Sequence, residues 1–164
     1  MRAHHITMHV QESMILFLYG PDTYRSRAQM KKMVAKFKAD RDPQGLNVIV
    51  LDALVETPGK ILEQILSAPF LAEKRMVVIE RLLESKHKEL QQELLSRAKE
   101  GRFSADTVLL FWDEIEKPKL KDAKALFEEL KKQKFAQEFG ALQGRQLETW
   151  VAAELQARGG KIGV

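Results

Sequence analysis

Cysteine is absent from this chain of 164 residues, which excludes disulfide frameworks and zinc sites built on thiolates. Long hydrophobic runs are absent too, because the longest uninterrupted apolar stretch, from Met14 to Tyr19, is far too short to cross a bilayer. Residues 1–13 lack the apolar core of a signal peptide and read as a flexible leader. We therefore expect a cytoplasmic protein without membrane contact.

An excess of one charge sign is also missing. The formal net charge is +4, and the basic residues are interspersed with acidic ones along the whole chain. A dedicated nucleic-acid binder usually concentrates its basic residues on one face. The composition predicts weak or indirect contact with DNA, and a small DNA-binding module remains an alternative function. Its candidate residues are Lys31, Lys32, Lys36 and Lys38.

Groupings that would bind a metal or activate a nucleophile are sparse. His4, His5 and His9 fall in the leader without carboxylate or thiolate partners, and no Ser/His/Asp set can be assembled. Asp113 and Glu114 follow an apolar run, as do the acidic residues that hold magnesium in many ATPases, but any buried strand that ends in an acidic loop has this pattern. We predict no metal, no cofactor and no catalytic residue.

Strand-like and helix-like segments alternate five times along the chain. Short apolar runs predict buried strands, and apolar residues at helical spacing predict helices that cover them. The predicted strands are 15–19, 47–53, 75–80, 107–112 and 135–139, and the predicted helices are 21–38, 57–68, 82–99, 119–134 and 144–158. This alternation predicts an α/β fold in which a five-stranded parallel sheet lies between two layers of helices.

The turn after the first strand has the layout of a phosphate-binding loop without the residues that bind phosphate. A working loop reads G-x-x-x-x-G-K-[ST], in which the lysine meets the phosphates and the hydroxyl holds magnesium. Counting from Gly20, the last three positions are Arg25, Ser26 and Arg27. We predict a degenerate loop that does not bind ATP. A divergent NTPase that uses Arg25 in place of lysine is the alternative.

A second candidate site is the segment 68–75, Ala-Pro-Phe-Leu-Ala-Glu-Lys-Arg. Pro69 ends the second helix, so that Phe70 and Leu71 fall in the connection to the third strand. Two interpretations stay open here. Phe70 caps the core at the edge of the sheet, or the apolar pair is exposed and fills a pocket of a partner, where burying two such side chains contributes about 3–6 kcal/mol before association costs.

The order of these motifs resembles the delta subunit of bacterial DNA polymerase III, the clamp-opening member of the clamp loader. The resemblance extends over nearly everything from Met14 onward, and its most specific part is the helix, proline, apolar pair and Ala-Glu-Lys-Arg that lead into the third strand. The matching stretches are 17–22, 61–79, 106–110 and 147–151.

The resemblance implies a non-catalytic subunit of the polymerase holoenzyme, with an AAA+-like domain over residues 14–140 that binds and opens the sliding clamp (beta) in DNA replication. It implies that Phe70 and Leu71 contact the clamp, with Leu66 and Pro69 shaping the contact; the family often has this pair in the order Leu-Phe. Residues 141–164 resemble the start of a truncated helical lid domain. A full-length form would also bind the other clamp-loader subunits.

Overall fold

The computed structural model of the protein describes residues 13–160, in which five strands alternate with five helices. Residues 1–12, with His4, His5, His9 and nearly all of the predicted leader, lie outside the described part. In chain order the elements are β1 (Met14–Tyr19), α1 (Thr23–Arg41), β2 (Val48–Asp52), α2 (Pro58–Leu66), β3 (Arg75–Glu80), α3 (Lys88–Glu100), β4 (Thr107–Asp113), α4 (Lys121–Lys131), β5 (Phe135–Glu138) and α5 (Gly144–Ala157).

The five strands form one parallel sheet with the order β2-β3-β4-β1-β5. The inner strands β1, β3 and β4 are buried along almost their whole length, which explains their continuous apolar sequences. The outer strands are more open, so that Val50 on β2 and Phe135 on β5 remain about half exposed. The parallel sheet predicted from the alternating pattern is therefore confirmed.

Helices cover both faces of the sheet. One cluster of buried side chains joins α1, through Met30 and Phe37, to one face. The other cluster joins α2, α3 and α4 to the opposite face, where Ile65, Leu94 and Phe127 represent the three helices. This arrangement confirms the predicted three-layer αβα architecture.

The third helix begins at Lys88, later than the predicted start at Leu82. Leu82 and Leu83 are buried, but they lie in a turn that polar side chains hold together. The side chain of Gln91 donates hydrogen bonds to the carbonyl oxygens of Leu82 and Ser85, at 2.9 and 3.1 Å. Two adjacent buried leucines thus resembled the first turn of an amphipathic helix although they belong to a loop.

Two further residues lie just before helices that the sequence pattern predicts to contain them. Leu120, within the predicted helix 119–134, precedes α4 as its N-cap and is 52% exposed. His87, within the predicted helix 82–99, is the residue before α3 and is half-buried, with its ring Nε2 3.2 Å from the carbonyl oxygen of Glu56. Both differences arise at helix starts, where a periodic pattern does not locate the first residue.

Helix α5 contacts the rest of the protein through the first turn of α1. The rings of Tyr24 and Trp150 meet edge to face with centroids 5.5 Å apart, and the Tyr24 hydroxyl donates to Glu154 at 2.9 Å. Within the described residues, none of the side chains of α5 is fully buried. Its apolar stripe, which includes Leu147 and Leu155, is therefore largely open.

Candidate functional site

The loop between β1 and α1 is held against the residue that follows β5. Gly20 has φ +120°, and a Cβ at this position would lie 2.5 Å from the carbonyl oxygen of Phe139. The backbone N–H of Gly20 donates to the Asp113 carbonyl at 3.2 Å, and that of Asp22 donates to the Phe139 carbonyl at 3.0 Å. Only glycine combines this backbone conformation with such a close approach.

The backbone N–H groups of Arg25 and Ser26, at the start of α1, have hydrogen-bond partners within the protein. The Asp22 carboxylate accepts from the backbone N–H of Arg25 at 3.0 Å and caps the helix, while the N–H of Ser26 donates to the Asp22 carbonyl at 3.1 Å. Burial acts to raise the pKa of Asp22, but hydrogen bonds from the Arg25 backbone and guanidinium outweigh it and lower this pKa. A carboxylate therefore stands at the helix end where a phosphate-binding loop would accept an anion.

The three side chains at the degenerate positions all have partners inside the chain. Arg25 donates to Asp22 at 2.6 Å and to the carbonyl oxygen of Gly140 at 2.7 Å. Ser26 is fully buried, and its hydroxyl accepts a hydrogen bond from the ring N–H of Trp112 at 2.9 Å. Arg27 lies 3.9 Å above the Trp112 ring and pairs with Glu80 at 3.2 Å. These residues tie the helix start to the sheet.

The carboxylate that ends β4 is buried next to this loop. Asp113 is completely buried; one oxygen accepts from the Leu83 N–H at 2.9 Å, and the other has no hydrogen-bond partner among residues 13–160. Burial raises the pKa of Asp113 well above its ordinary value. No group of three or more metal-ligating side chains occurs within the described residues. In this structure, Asp113 stabilises the turn at 82–85 through its hydrogen bond with Leu83.

The second candidate site lies at the other edge of the sheet, because residues 68–75 lead into the amino end of β3. Phe70 is 60% and Leu71 90% exposed. Leu66, the last residue of α2, is half exposed, and Pro69 is partly buried beside the pair. Phe70 therefore does not cap the core. Leu71 has φ +50°, a conformation that non-glycine residues rarely adopt.

Buried polar side chains hold the backbone of this exposed segment from two sides. Asn47 accepts from the Phe70 N–H at 2.6 Å and donates to the Phe70 carbonyl at 3.0 Å. Arg75, whose pKa is lowered by burial, donates to the Ala68 carbonyl at 3.3 Å and to the Gln64 side chain at 3.0 Å. Sequence reasoning missed Asn47 and Gln64, since nothing local in the sequence pairs an asparagine with a loop 23 residues away.

The two candidate sites are thus separate. Gly20 follows the carboxyl end of β1, whereas Phe70 precedes the amino end of β3, and in a parallel sheet these ends face opposite directions. The structure brings Gly20, Arg25, Ser26 and Arg27 together around α1. Leu66, Pro69, Phe70 and Leu71 form a second group at the opposite edge.

Residues 16–139 match the sequence model of the DNA polymerase III delta subunit family. The chain belongs to this family. The members of this family are delta subunits of DNA polymerase III, which acts in DNA replication. Curated protein sequences gave no significant match.

Solved structures support the fold of the delta-family chain. The DNA clamp loader delta protein of Bacillus subtilis matches 91% of it with a TM-score of 0.63 at 21% identity. A DNA polymerase III gamma subunit-related protein of Thermotoga maritima matches 87% with a TM-score of 0.52 at 10% identity. The chain covers 44% and 45% of these two proteins, less than half of each. None of the helices within residues 13–160 is long and apolar enough to cross a membrane.

Replacing Gly20 tests how closely the degenerate loop is packed. We expect Gly20→Ala to lower the free energy of unfolding by about 2 kcal/mol or more, because the added methyl meets the Phe139 carbonyl and the backbone becomes strained. Urea unfolding of the two proteins measures the difference. Gly59→Ala is the control: it adds a methyl to helix α2 with nothing within 4 Å and should stay within about 1 kcal/mol of the parent.

Replacing Asp113 tests the cost of its buried charge. Its pKa in the folded delta-family chain lies above the unfolded value of about 3.9, so the folded form retains a proton that the unfolded form loses as the pH rises. The free energy of unfolding therefore falls as the pH rises from the unfolded pKa of Asp113 to its folded pKa. We expect Asp113→Asn, which carries no charge, to gain stability relative to the parent by about 1 kcal/mol or more between pH of about 4 and about 8.

Urea unfolding at both pH values measures this gain. Glu116→Gln, a change at an exposed carboxylate just after β4, is the control and should shift stability by the same small amount at both. If the difference in unfolding free energy between Asp113→Asn and the parent does not vary with pH, the raised pKa of Asp113 is contradicted.

Proposed function

We propose that this chain is the clamp-binding part of a clamp-loader delta subunit and that it binds the sliding clamp through the apolar pair Phe70 and Leu71. The observation that carries the proposal is the exposure of two large apolar side chains on a segment whose backbone is held by buried polar groups. Such a segment offers its side chains to a pocket at a small cost in conformational entropy. Family membership supplies the class of partner.

The surroundings of the pair suit a protein contact. Leu46, which lines the same surface depression as Phe70 and Leu71, is 58% exposed, and Leu66 is 50% exposed. Exposed apolar residues that cluster in this way mark interaction sites more often than scattered ones do. Leu66 is the last residue of α2 and Pro69 immediately precedes the pair, and we propose that both shape the contact.

We assign residues 14–140 to the clamp-binding unit and α5 to the beginning of a helical lid. The division rests on burial, because both core clusters lie between β1 and the residue after β5, whereas α5 contributes to neither. Clamp opening, and contacts with the other clamp-loader subunits, are the further roles that the family suggests for a whole delta subunit.

A non-catalytic role fits the contacts of the degenerate loop. Arg25, which a divergent NTPase would need for phosphate, is bonded to Asp22 and to Gly140. Releasing it would cost both hydrogen bonds and expose an acceptor-only carboxylate to the incoming phosphates. We therefore propose that the AAA+-like scaffold here serves a partner and binds no ATP.

A DNA-binding function has less support. Lys31, Lys32, Lys36 and Lys38 are all exposed on α1, but Lys36 pairs with Asp40 at 2.8 Å. Four lysines can make only a few phosphate contacts, and the salt dependence of DNA affinity scales with the number of such contacts. Contact with DNA is therefore weak or indirect in our proposal.

Removing the apolar pair tests the clamp contact. We expect Phe70→Ala combined with Leu71→Ala to weaken binding to the cognate sliding clamp by about thirtyfold or more, because hot-spot side chains contribute about 2 kcal/mol or more when they fill a pocket. Surface plasmon resonance with immobilised clamp measures the affinity. Thermal unfolding should change little, since both side chains are exposed.

A matched control removes two exposed apolar side chains elsewhere, Val55 and Leu120, which are 76% and 52% exposed. The double alanine variant at these positions should bind the clamp as the parent does. Unchanged clamp affinity after loss of Phe70 and Leu71 would overturn the assignment of the contact.

A nucleotide titration tests the non-catalytic role. We expect Mg-ATP at millimolar concentration to leave the thermal unfolding temperature unchanged, because the loop has no free set of phosphate ligands. A divergent NTPase would behave differently: a ligand at a hundred times its dissociation constant adds about 2.7 kcal/mol to stability. A clear upward shift with ATP that Arg25→Ala abolishes would favour the enzyme.

A further inference from the structure

The side chain of Asn47 is the only described side chain with hydrogen bonds to the backbone of Phe70. Its amide oxygen accepts from the Phe70 N–H at 2.6 Å, and its amide nitrogen donates to the Phe70 carbonyl at 3.0 Å. Asn47 itself is buried at 6% exposure, whereas Phe70 is 60% exposed. One buried amide thus holds both backbone groups of an exposed residue.

Asp42 fixes the orientation of this amide. Its carboxylate accepts from the backbone N–H of Asn47 at 2.8 Å, from the Asn47 amide nitrogen at 3.3 Å and from the Leu46 N–H at 3.1 Å. An ionised carboxylate only accepts hydrogen bonds, so the NH₂ of Asn47 must face it. The amide oxygen is then left for the Phe70 N–H. Asp42 is 4% exposed and follows α1 directly, which fixes its own position.

The residue after Phe70 needs such support. Leu71 has φ +50°, a backbone region that costs a non-glycine residue energy and persists only where neighbouring structure imposes it. The segment between α2 and β3 has no hydrogen-bonded regular structure of its own. The two hydrogen bonds from Asn47 end one residue before this strained position, so they determine the direction in which Leu71 leaves the surface.

We infer that Asn47 is a positioning residue for the clamp contact: it pre-organises the backbone of Phe70 so that Phe70 and Leu71 stand in their binding arrangement before the partner arrives. This inference rests on the proposed function. Asn47 is buried and does not contact the clamp in this proposal. It acts through Phe70, while Asp42 holds the amide in the required orientation. Pre-organisation of this kind raises affinity because less conformational freedom is lost on binding.

The role of the side chain can be separated from the role of Asn47 in the sheet. The backbone carbonyl of Asn47 accepts from the Met76 N–H at 2.8 Å and continues the pairing of β2 with β3. Asn47→Ala keeps this backbone bond and removes only the amide.

A thermodynamic cycle tests the inference with four proteins: the parent, Asn47→Ala, the Phe70→Ala and Leu71→Ala double variant, and the triple variant. Clamp affinity is measured for each by surface plasmon resonance, and folding is checked by thermal unfolding. We expect Asn47→Ala to weaken binding about tenfold in the parent background. We expect no further loss in the background that lacks the apolar pair, because the amide then has no side chains to position.

Gln91→Ala is the matched control. Gln91 is also a buried side-chain amide that bonds two groups of a turn, yet its turn follows β3 at the opposite edge of the sheet. It should lower stability to a similar extent and leave clamp affinity unchanged. Asp42→Asn serves as a second variant should Asn47→Ala not fold, and it should weaken binding only when Phe70 and Leu71 are present.

Each outcome separates the inference from the function on which it rests. Loss of affinity on removing the apolar pair, together with parent-like affinity of Asn47→Ala, would overturn the positioning role and leave the clamp contact standing. Equal losses from Asn47→Ala in both backgrounds would show that the amide does not act through the pair and would also overturn the inference. Parent-like binding without Phe70 and Leu71 would overturn the contact and the positioning role together.

Discussion

Burial of the inner strands on both faces is the constraint from which the rest of the structure follows. A parallel strand that is covered on both sides needs a helix on each face, and each crossover must return the chain to the same end of the sheet. All connections that lead out of strands therefore lie at one edge and all connections that lead in lie at the other. The loop at Gly20 and the segment at Phe70 are at opposite edges for this reason.

The carboxyl and amino edges of the sheet differ in how their side chains are arranged. At the carboxyl edge, the side chains at the positions of a phosphate-binding loop contact other residues of the chain: the Trp112 ring N–H donates a hydrogen bond to Ser26, and Arg27 lies over the ring. At the amino edge, buried polar groups hold the backbone while the apolar side chains of Phe70 and Leu71 stay outside. Side-chain contacts tie the carboxyl edge together, whereas the amino edge presents exposed apolar side chains.

Much of the fold could be predicted from the sequence, because short apolar runs and apolar residues at helical spacing indicate directly which positions are buried. The boundaries that failed, at Leu82 and Leu120, are places where an apolar residue is adjacent to a helix without belonging to it. The apolar pair could be located, but the pattern alone could not decide between capping the core and facing solvent. The bond between Ser26 and Trp112 joins residues 86 positions apart, and no local pattern predicts such partners.

Arg25 and Tyr24 also contact the part of the chain that follows the sheet. Arg25 bonds the carbonyl oxygen of Gly140, where the chain leaves β5, and Tyr24 packs on Trp150 of α5. The first turn of α1 thus contacts the segment that follows the sheet at two points. These contacts are made by groups of the chain itself, so the position of α5 depends on how the first turn of α1 packs.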